Sequence, residues 1–239
     1  MRILAVGDII GESGVRKLKE ILPKIKKEEN IDFVITNGEN SAGGMGITEK
    51  NFRDILDAGT NVITMGNHTW GKKDIFKFID APELLRPANY PDGVVGKGLG
   101  IYECKGKKIA VMNFIGRVDI NILSENPFVM AKQMVEKIKN EVDIIIIDFH
   151  AEATAEKIAM ARYLDGKENL SLDSKTAIGS LANYISYYHN GETGVDRFDP
   201  MNVNFGIFEP LNIKVGKKER KSAYANRALG IIDELVKDL

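Results

Sequence analysis

The chain of 239 residues holds one cysteine, Cys104, one tryptophan, Trp70, and three histidines. One cysteine excludes an internal disulfide, and the lack of any Cys/His cluster excludes a finger-type structural zinc site. Lys and Arg number 33 against 34 for Asp and Glu, so no excess of either sign draws the whole molecule to nucleic acid or to an anionic membrane. A phosphate-bearing ligand must be held locally. Long apolar runs are also missing, since a stretch such as 144–147 is far shorter than the roughly 20 residues of a membrane helix. With no cleavable apolar segment before the opening strand pattern, the sequence predicts a soluble, cytoplasmic protein. There is no Walker sequence. Gly7, Gly11 and Gly14 miss the dinucleotide spacing, and the aspartate inside that turn would repel a pyrophosphate. Gly96, Gly98 and Gly100 precede a strand rather than a helix and read as loop, not as a phosphate cradle. Cys104 has no base partner in the sequence and reads as inert.

What the chain does have is a recurrence. Four apolar runs fit for buried strands, at 3–6, 33–35, 62–65 and 143–147, each lead to metal-type donors: Asp8, then Glu39 and Asn40, then Asn67 and His68, then His150. Strands covered on both faces read as such near-continuous apolar runs. In an open α/β sheet, ligands gather at the carboxyl ends of the strands. Donors far apart in sequence would then meet in one crevice, where a divalent metal is the natural occupant.

The rest of the first 150 residues fits that frame. Helical patterns at 15–28, 49–57, 72–79 and 127–140 alternate with the strands, and a further strand is expected at 109–114. This alternation predicts a mainly parallel sheet. The Gly-rich loop with Gly38, Gly43, Gly44 and Gly46 is free to wrap a ligand, and Pro82, Pro87 and Pro91 impose an irregular stretch. Beyond Lys167 the texture changes. A helix is expected at 173–188, a turn at Asn190-Gly191, an extended segment at 198–210 and, after a basic run at 217–221, an amphipathic last helix. A boundary is placed near residue 168, with a body at 1–167 and a mainly helical tail at 168–239.

Each donor has a plainer reading. Asp8 suits capping of the helix after its turn, Asn40 and Asn67 suit tight turns, and a lone histidine is often a hydrogen-bonded structural residue. Two histidines at equivalent strand tips, beside carboxylates at two others, argue for a shared site. His189, beside Asn190-Gly191, reads as turn-proximal surface.

At these residues the chain resembles a known family. Val-Gly-Asp (Asp8), Asn-Gly-Glu-Asn (Glu39, Asn40), Gly-Asn-His (Asn67, His68) and Asp-Phe-His (His150), with Arg-Pro-Ala-Asn at 86–89 and Tyr-Leu-Asp-Gly at 163–166, resemble the YmdB-type branch of the calcineurin-like metallophosphoesterases over residues 1–167. The resemblance implies a layered α/β fold with flanking helices and a metal phosphodiesterase acting on cyclic nucleotides or RNA-type phosphodiesters. It further implies two divalent metal ions, of iron, manganese or zinc. By it, Glu39 bridges both metals, Asp8 and Asn40 serve one, Asn67 and His150 the other, and His68 is the catalytic residue outside the metal shell.

The resemblance also exposes a gap. The family continues into a strand ending Gly-Thr-His-Thr-His, whose histidines complete the metal shells, and this chain lacks it. Segments 176–185, 200–206 and 217–225 instead resemble the C-terminal end of TrmFO, the flavin- and folate-dependent tRNA uracil methyltransferase. The α/β body is thus expected to be incomplete at its C-terminal part and its activity impaired, with His189, Asp196 or Asp199 as substitute ligands. Two rivals follow: a flavin-binding, tRNA-methyltransferase-related fragment, the one reading that calls for FAD, and an inactive scaffold. A nucleotide or phosphodiester partner is expected, no membrane, and a homo-oligomer is left open.

Overall fold

A computed structural model describes residues 1–164 and the backbone of two later strand segments, Thr176–Gly179 and Phe205–Phe208. Its strands form two sheets. The first orders β4 (Leu84–Leu85), β3 (Val62–Thr64), β2 (Phe33–Asn37), β1 (Ile3–Val6) and β9 (Phe205–Phe208); only β9 runs antiparallel to its neighbour. The second orders β5 (Leu99–Cys104), β6 (Lys107–Ile115), β7 (Ile144–His150) and β8 (Thr176–Gly179), with β5 antiparallel to β6.

Strand alternation explains the layering. In β1, Leu4 and Val6 pack with Leu18 and Leu22 of α1 (Gly11–Glu28) and with Ile55 of α2 (Glu49–Asp57) on the outer face of the first sheet. Ile3 points the other way, into a layer shared with Phe33, Ile35, Val62, Ile109, Val111, Ile144 and Ile146 of both sheets. In β7, Ile145 and Ile147 turn outward to Ala131 and Val135 of α3 (Pro127–Ile138) and Met160 of α4 (Thr154–Leu164). Both faces of every central strand are therefore dry, which is why these strands read as unbroken apolar runs. The mixed α/β layered sheet expected from the sequence is present.

The layer between the sheets changes character along the strands. At their carboxyl ends the apolar contacts give way to Asn113, Thr64, Asp148 and His150. Asn113 of β6 donates to the carbonyls of Met65 (2.6 Å) and Leu85 (2.9 Å), and Thr64 donates to Asp148 (2.5 Å). These bonds stitch one sheet to the other at the edge where the donors lie. Asn113→Ala strips the Met65 carbonyl of this buried donor, so a loss of about 2–3 kcal/mol is expected in urea unfolding.

Several sequence expectations need correction. The helix expected at 72–79 is a single 3-10 stretch, Lys73–Lys77; Gly71 before it and Pro82 after it leave too few residues to nucleate a full helix. The segment at 173–188 was expected to be helical, but Thr176–Gly179 is the strand β8, parallel to β7 in the register Ile145 with Thr176. The open edge of β7 supplies backbone partners that outweigh local preference. Gly100 lies inside β5, whose hairpin to β6 turns at Lys105 and Gly106, both with positive φ (48° and 71°). The pair Lys-Gly is a weaker hairpin signal than Asn-Gly. The helix α4 was not anticipated.

Candidate metal centre

The four strand tips meet at the carboxyl edge, and six expected residues form one chain of contacts. The Asn40 amide N–H donates to Asp8 Oδ2 (2.7 Å), and the Asn40 Oδ1 lies 2.5 Å from His68 Nδ1. The backbone N–H of His68 donates to Glu39 Oε2 (2.9 Å). The other Glu39 oxygen faces His150 Nδ1 at 2.8 Å, and His150 Nε2 lies 2.7 Å from Asn67 Oδ1. Asp8 does not cap α1, whose N-cap is Ile10 with no side-chain cap bond. Its carboxylate is directed to Asn40 instead.

The network assigns protons. An amide oxygen only accepts, so His68 Nδ1 carries the hydrogen toward Asn40. His150 meets an acceptor at each nitrogen, Glu39 on one side and Asn67 on the other, and is doubly protonated in this arrangement. Burial alone would lower its pKa, but the Glu39 carboxylate holds it above the usual histidine value. Burial likewise opposes ionisation of Glu39, and the neighbouring His150 charge outweighs it, keeping Glu39 below the usual carboxylate range. At Asp8 the histidine charges are too weak to offset burial. Its burial, reinforced by the Glu39 charge, raises its pKa to about 6.

The donor set fits a divalent cation. Asp8 Oδ1 is buried with no hydrogen-bond partner among the described residues, a costly state that a bound cation would relieve. Two carboxylates, two amide oxygens and an imidazole suit a borderline metal. Among the described residues, no three His, Cys, Asp or Glu side chains are already grouped as a metal shell. Without a cation the donors pair with one another only in part, Glu39 with His150 and one Asp8 oxygen with Asn40. Metal binding must therefore displace the His150 proton and, below about pH 6, the Asp8 proton as well. Proton release that grows as the pH falls through 6 is expected in titration calorimetry across buffers of different ionisation heat. Buffer-independent heats would contradict the proton assignment.

Two residues escaped the sequence reading. Gly66 lies so close to the donors that a Cβ there would sit 2.6 Å from both Glu39 oxygens and from the His150 ring. Its carbonyl accepts from the Tyr90 hydroxyl (2.9 Å), which anchors the turn carrying Asn67 and His68. The Gly-Asn-His triplet hinted at Gly66; Tyr90, which follows Arg-Pro-Ala-Asn, had no signal beyond that motif. Gly66→Ala must push Glu39 and His150 apart, with an expected cost of about 1–3 kcal/mol and a fall of about 10- to 100-fold in metal affinity by competition with a chelating dye. His189, Asp196 and Asp199 lie outside the described residues, as do the expected final helix and most of the 198–210 segment.

Largely parallel strands in two stacked sheets, flanked by helices, define a metallophosphoesterase-like fold. The description "YmdB-like protein" matches residues 4–186. The chain belongs to the YmdB-like family. It is 44% identical over 186 residues to the 2',3'-cyclic-nucleotide 2'-phosphodiesterase of Bacillus subtilis, covering 77% of this chain and 70% of that protein. A crystal structure of a hypothetical protein from Thermus thermophilus superposes with TM-score 0.65 at 35% identity, over 70% of this chain and 64% of that one. The chain thus spans about two thirds of the length of these relatives. A stretch of 80 residues is 50% identical to the tRNA-(uracil-5-)-methyltransferase TrmFO of Bacillus cytotoxicus, covering 33% of this chain but 17% of that enzyme. The shares of 77% and 33% exceed the whole chain, so the two likenesses overlap, and the family match itself runs past residue 168. No helix among the described residues is long and apolar enough to cross a membrane.

Proposed function

We propose that the chain is a divalent-metal phosphodiesterase acting on cyclic nucleotides or RNA-type phosphodiesters. The contact network linking Asp8, Asn40, His68, Glu39, His150 and Asn67 carries this reading, and the Bacillus subtilis relative supports the substrate class. Glu39 would hold both of two metal ions, with Asp8 and Asn40 on one and Asn67 and His150 on the other. When bound, such ions supply the positive charge that stabilises a phosphoryl group under in-line attack.

The remaining work falls to the chain's own side chains. His68, with Nδ1 tied to Asn40, presents Nε2 to the leaving oxygen and donates a proton there. Asn40 bonds to Asp8 on one side and to His68 on the other, and so fixes the orientation of the His68 ring. The floor formed by Gly66 and Tyr90 keeps these groups in register. Residues 1–167 form the catalytic body, and 168–239 form a tail that replaces the family's last metal-binding strand. The chain lacks that strand's His-x-His histidines, so metal is held more weakly and turnover is low.

The test combines metal content by elemental analysis with hydrolysis of bis(p-nitrophenyl) phosphate and of a 2',3'-cyclic nucleotide. Manganese-stimulated turnover supports the proposal; absence of both bound transition metal and turnover defeats it. The likeness of one stretch to TrmFO supports a second reading, a flavin-binding fragment. A yellow protein with flavin absorbance would favour it, and a folded, colourless, metal-free and inactive protein would leave only a scaffold.

A further inference from the structure

The segment that leaves the metal centre runs Thr-Trp-Gly-Lys-Lys-Asp-Ile-Phe-Lys from Thr69 to Lys77. Its two aromatic rings stack on each other: Trp70 and Phe76 have centroids 5.6 Å apart and planes at 13°. Ile75, fully buried, pins the turn, and Asp74 accepts the backbone N–H of Glu49 (2.7 Å) while pairing with Lys77. The stack is therefore held rigidly, yet Phe76 remains 58% exposed. Met45, itself 51% exposed, lies against Gly71, where a Cβ would come 2.7 Å from its Cγ. On the inner side Trp70 reaches Tyr90 (6.0 Å), whose hydroxyl bonds to Gly66 beside Glu39. Met45, Trp70 and Phe76 thus form an apolar shelf continuous with the wall of the metal centre.

The charge beside it is unbalanced. Lys77 is neutralised by Asp74, whereas the ammonium groups of Lys72 and Lys73 show no ion pair or hydrogen bond among the described residues. A single exposed ring means little. A fixed aromatic stack with two cations unpaired among the described residues, next to donors suited to a phosphodiester, matches the way proteins hold single-stranded nucleic acid: bases stack on rings and lysines follow the phosphates.

We propose that Trp70, Phe76, Lys72 and Lys73 form a subsite for a single-stranded oligonucleotide. A base next to the scissile phosphodiester stacks on the Trp70–Phe76 pair, and the adjoining phosphate meets the two lysines. The inference rests on the phosphodiesterase reading and narrows its substrate to a strand or strand end rather than a free mononucleotide.

Trp70 is the sole tryptophan, so intrinsic fluorescence reports the subsite directly. The full chain, without added metal, is titrated with a six-nucleotide single-stranded adenosine RNA. Saturable quenching is expected, with affinity falling as salt rises at a log–log slope of about −1.4 for two phosphate contacts. Phe76→Ala is expected to weaken binding about 5- to 150-fold, and Lys72→Gln with Lys73→Gln to flatten the salt dependence. Lys137→Gln, on the far helix α3, should change neither. Hydrolysis of base-free bis(p-nitrophenyl) phosphate separates the two readings. If the native chain cleaves it while no RNA binds, the subsite is refuted and the phosphodiesterase stands. If RNA binds with the expected variant effects and no ester is cleaved, the subsite stands and the enzyme reading falls. Quenching that Phe76→Ala and the lysine variants leave unchanged overturns the proposal, and turns the shelf toward a protein partner.

Discussion

Glu39→Gln is expected to abolish metal retention and reduce phosphodiester hydrolysis by about three orders of magnitude, since the several kcal/mol of charge stabilisation from bound cations would be lost. The substitution keeps the side chain's shape, so the loss reports charge. It also has a stability signature in the metal-free protein. Glu39 has a folded pKa below its unfolded value of 4.5, so its contribution is present above pH 4.5 and lost as the pH falls through the lowered value. His150 has a folded pKa above its unfolded 6.5, so its contribution is present below pH 6.5 and lost as the pH rises through the raised value. The pair therefore stabilises most between pH 4.5 and 6.5. Thermal melts of the native chain and the Gln variant should differ most in that window and converge at alkaline pH. Removing one partner of a buried pair costs about 3–5 kcal/mol at most, and deprotonation of His150 in the variant reduces this. A pH-independent difference would contradict the pairing.

His68→Ala is the second large effect, with an expected fall of about 10²- to 10⁴-fold in kcat at unchanged metal content. The separation follows from the bonding. His68 touches the donor cluster through Nδ1 on Asn40 and through its backbone N–H on Glu39. An alanine keeps that backbone bond, so Glu39 stays in place while the proton donor is lost. Esters with a good leaving group need no protonation and should be cleaved almost as fast by the variant as by the native chain. A uniform loss across leaving groups, together with lost metal, would instead make His68 a ligand.

Much of this site was legible from residue order. Asp8, Glu39, Asn67 and His150 each follow a run whose unbroken apolarity marks a strand covered on both faces, and strand ends in such folds converge. The division into two sheets was not legible, because Ile3 and Ile144 read alike whether they face a helix or another sheet. Nor was the role of Gly66, whose importance comes from the approach of Glu39 and His150, separated by more than 100 positions. The error at 72–79 has the same origin: apolar Ile75 and Phe78 have helical spacing, while one is buried under the turn and the other lies against Phe52. At 176–179, pairing with β7 decided the backbone, and no local signal carries the position of a distant strand edge.

The sequence alone determined which donor groups this protein carries at its strand ends, since donor chemistry and strand patterning are properties of residues and their neighbours. Only the tertiary structure decided how those groups are used. The hydrogen bonds linking Asp8, Asn40 and His68, the charged pair of Glu39 and His150, and the exposure of Phe76 beside Lys72 and Lys73 all depend on distances of a few ångströms between elements remote along the chain. Electrostatic and hydrogen-bond energies change steeply over such distances, and spacing along a sequence does not encode them.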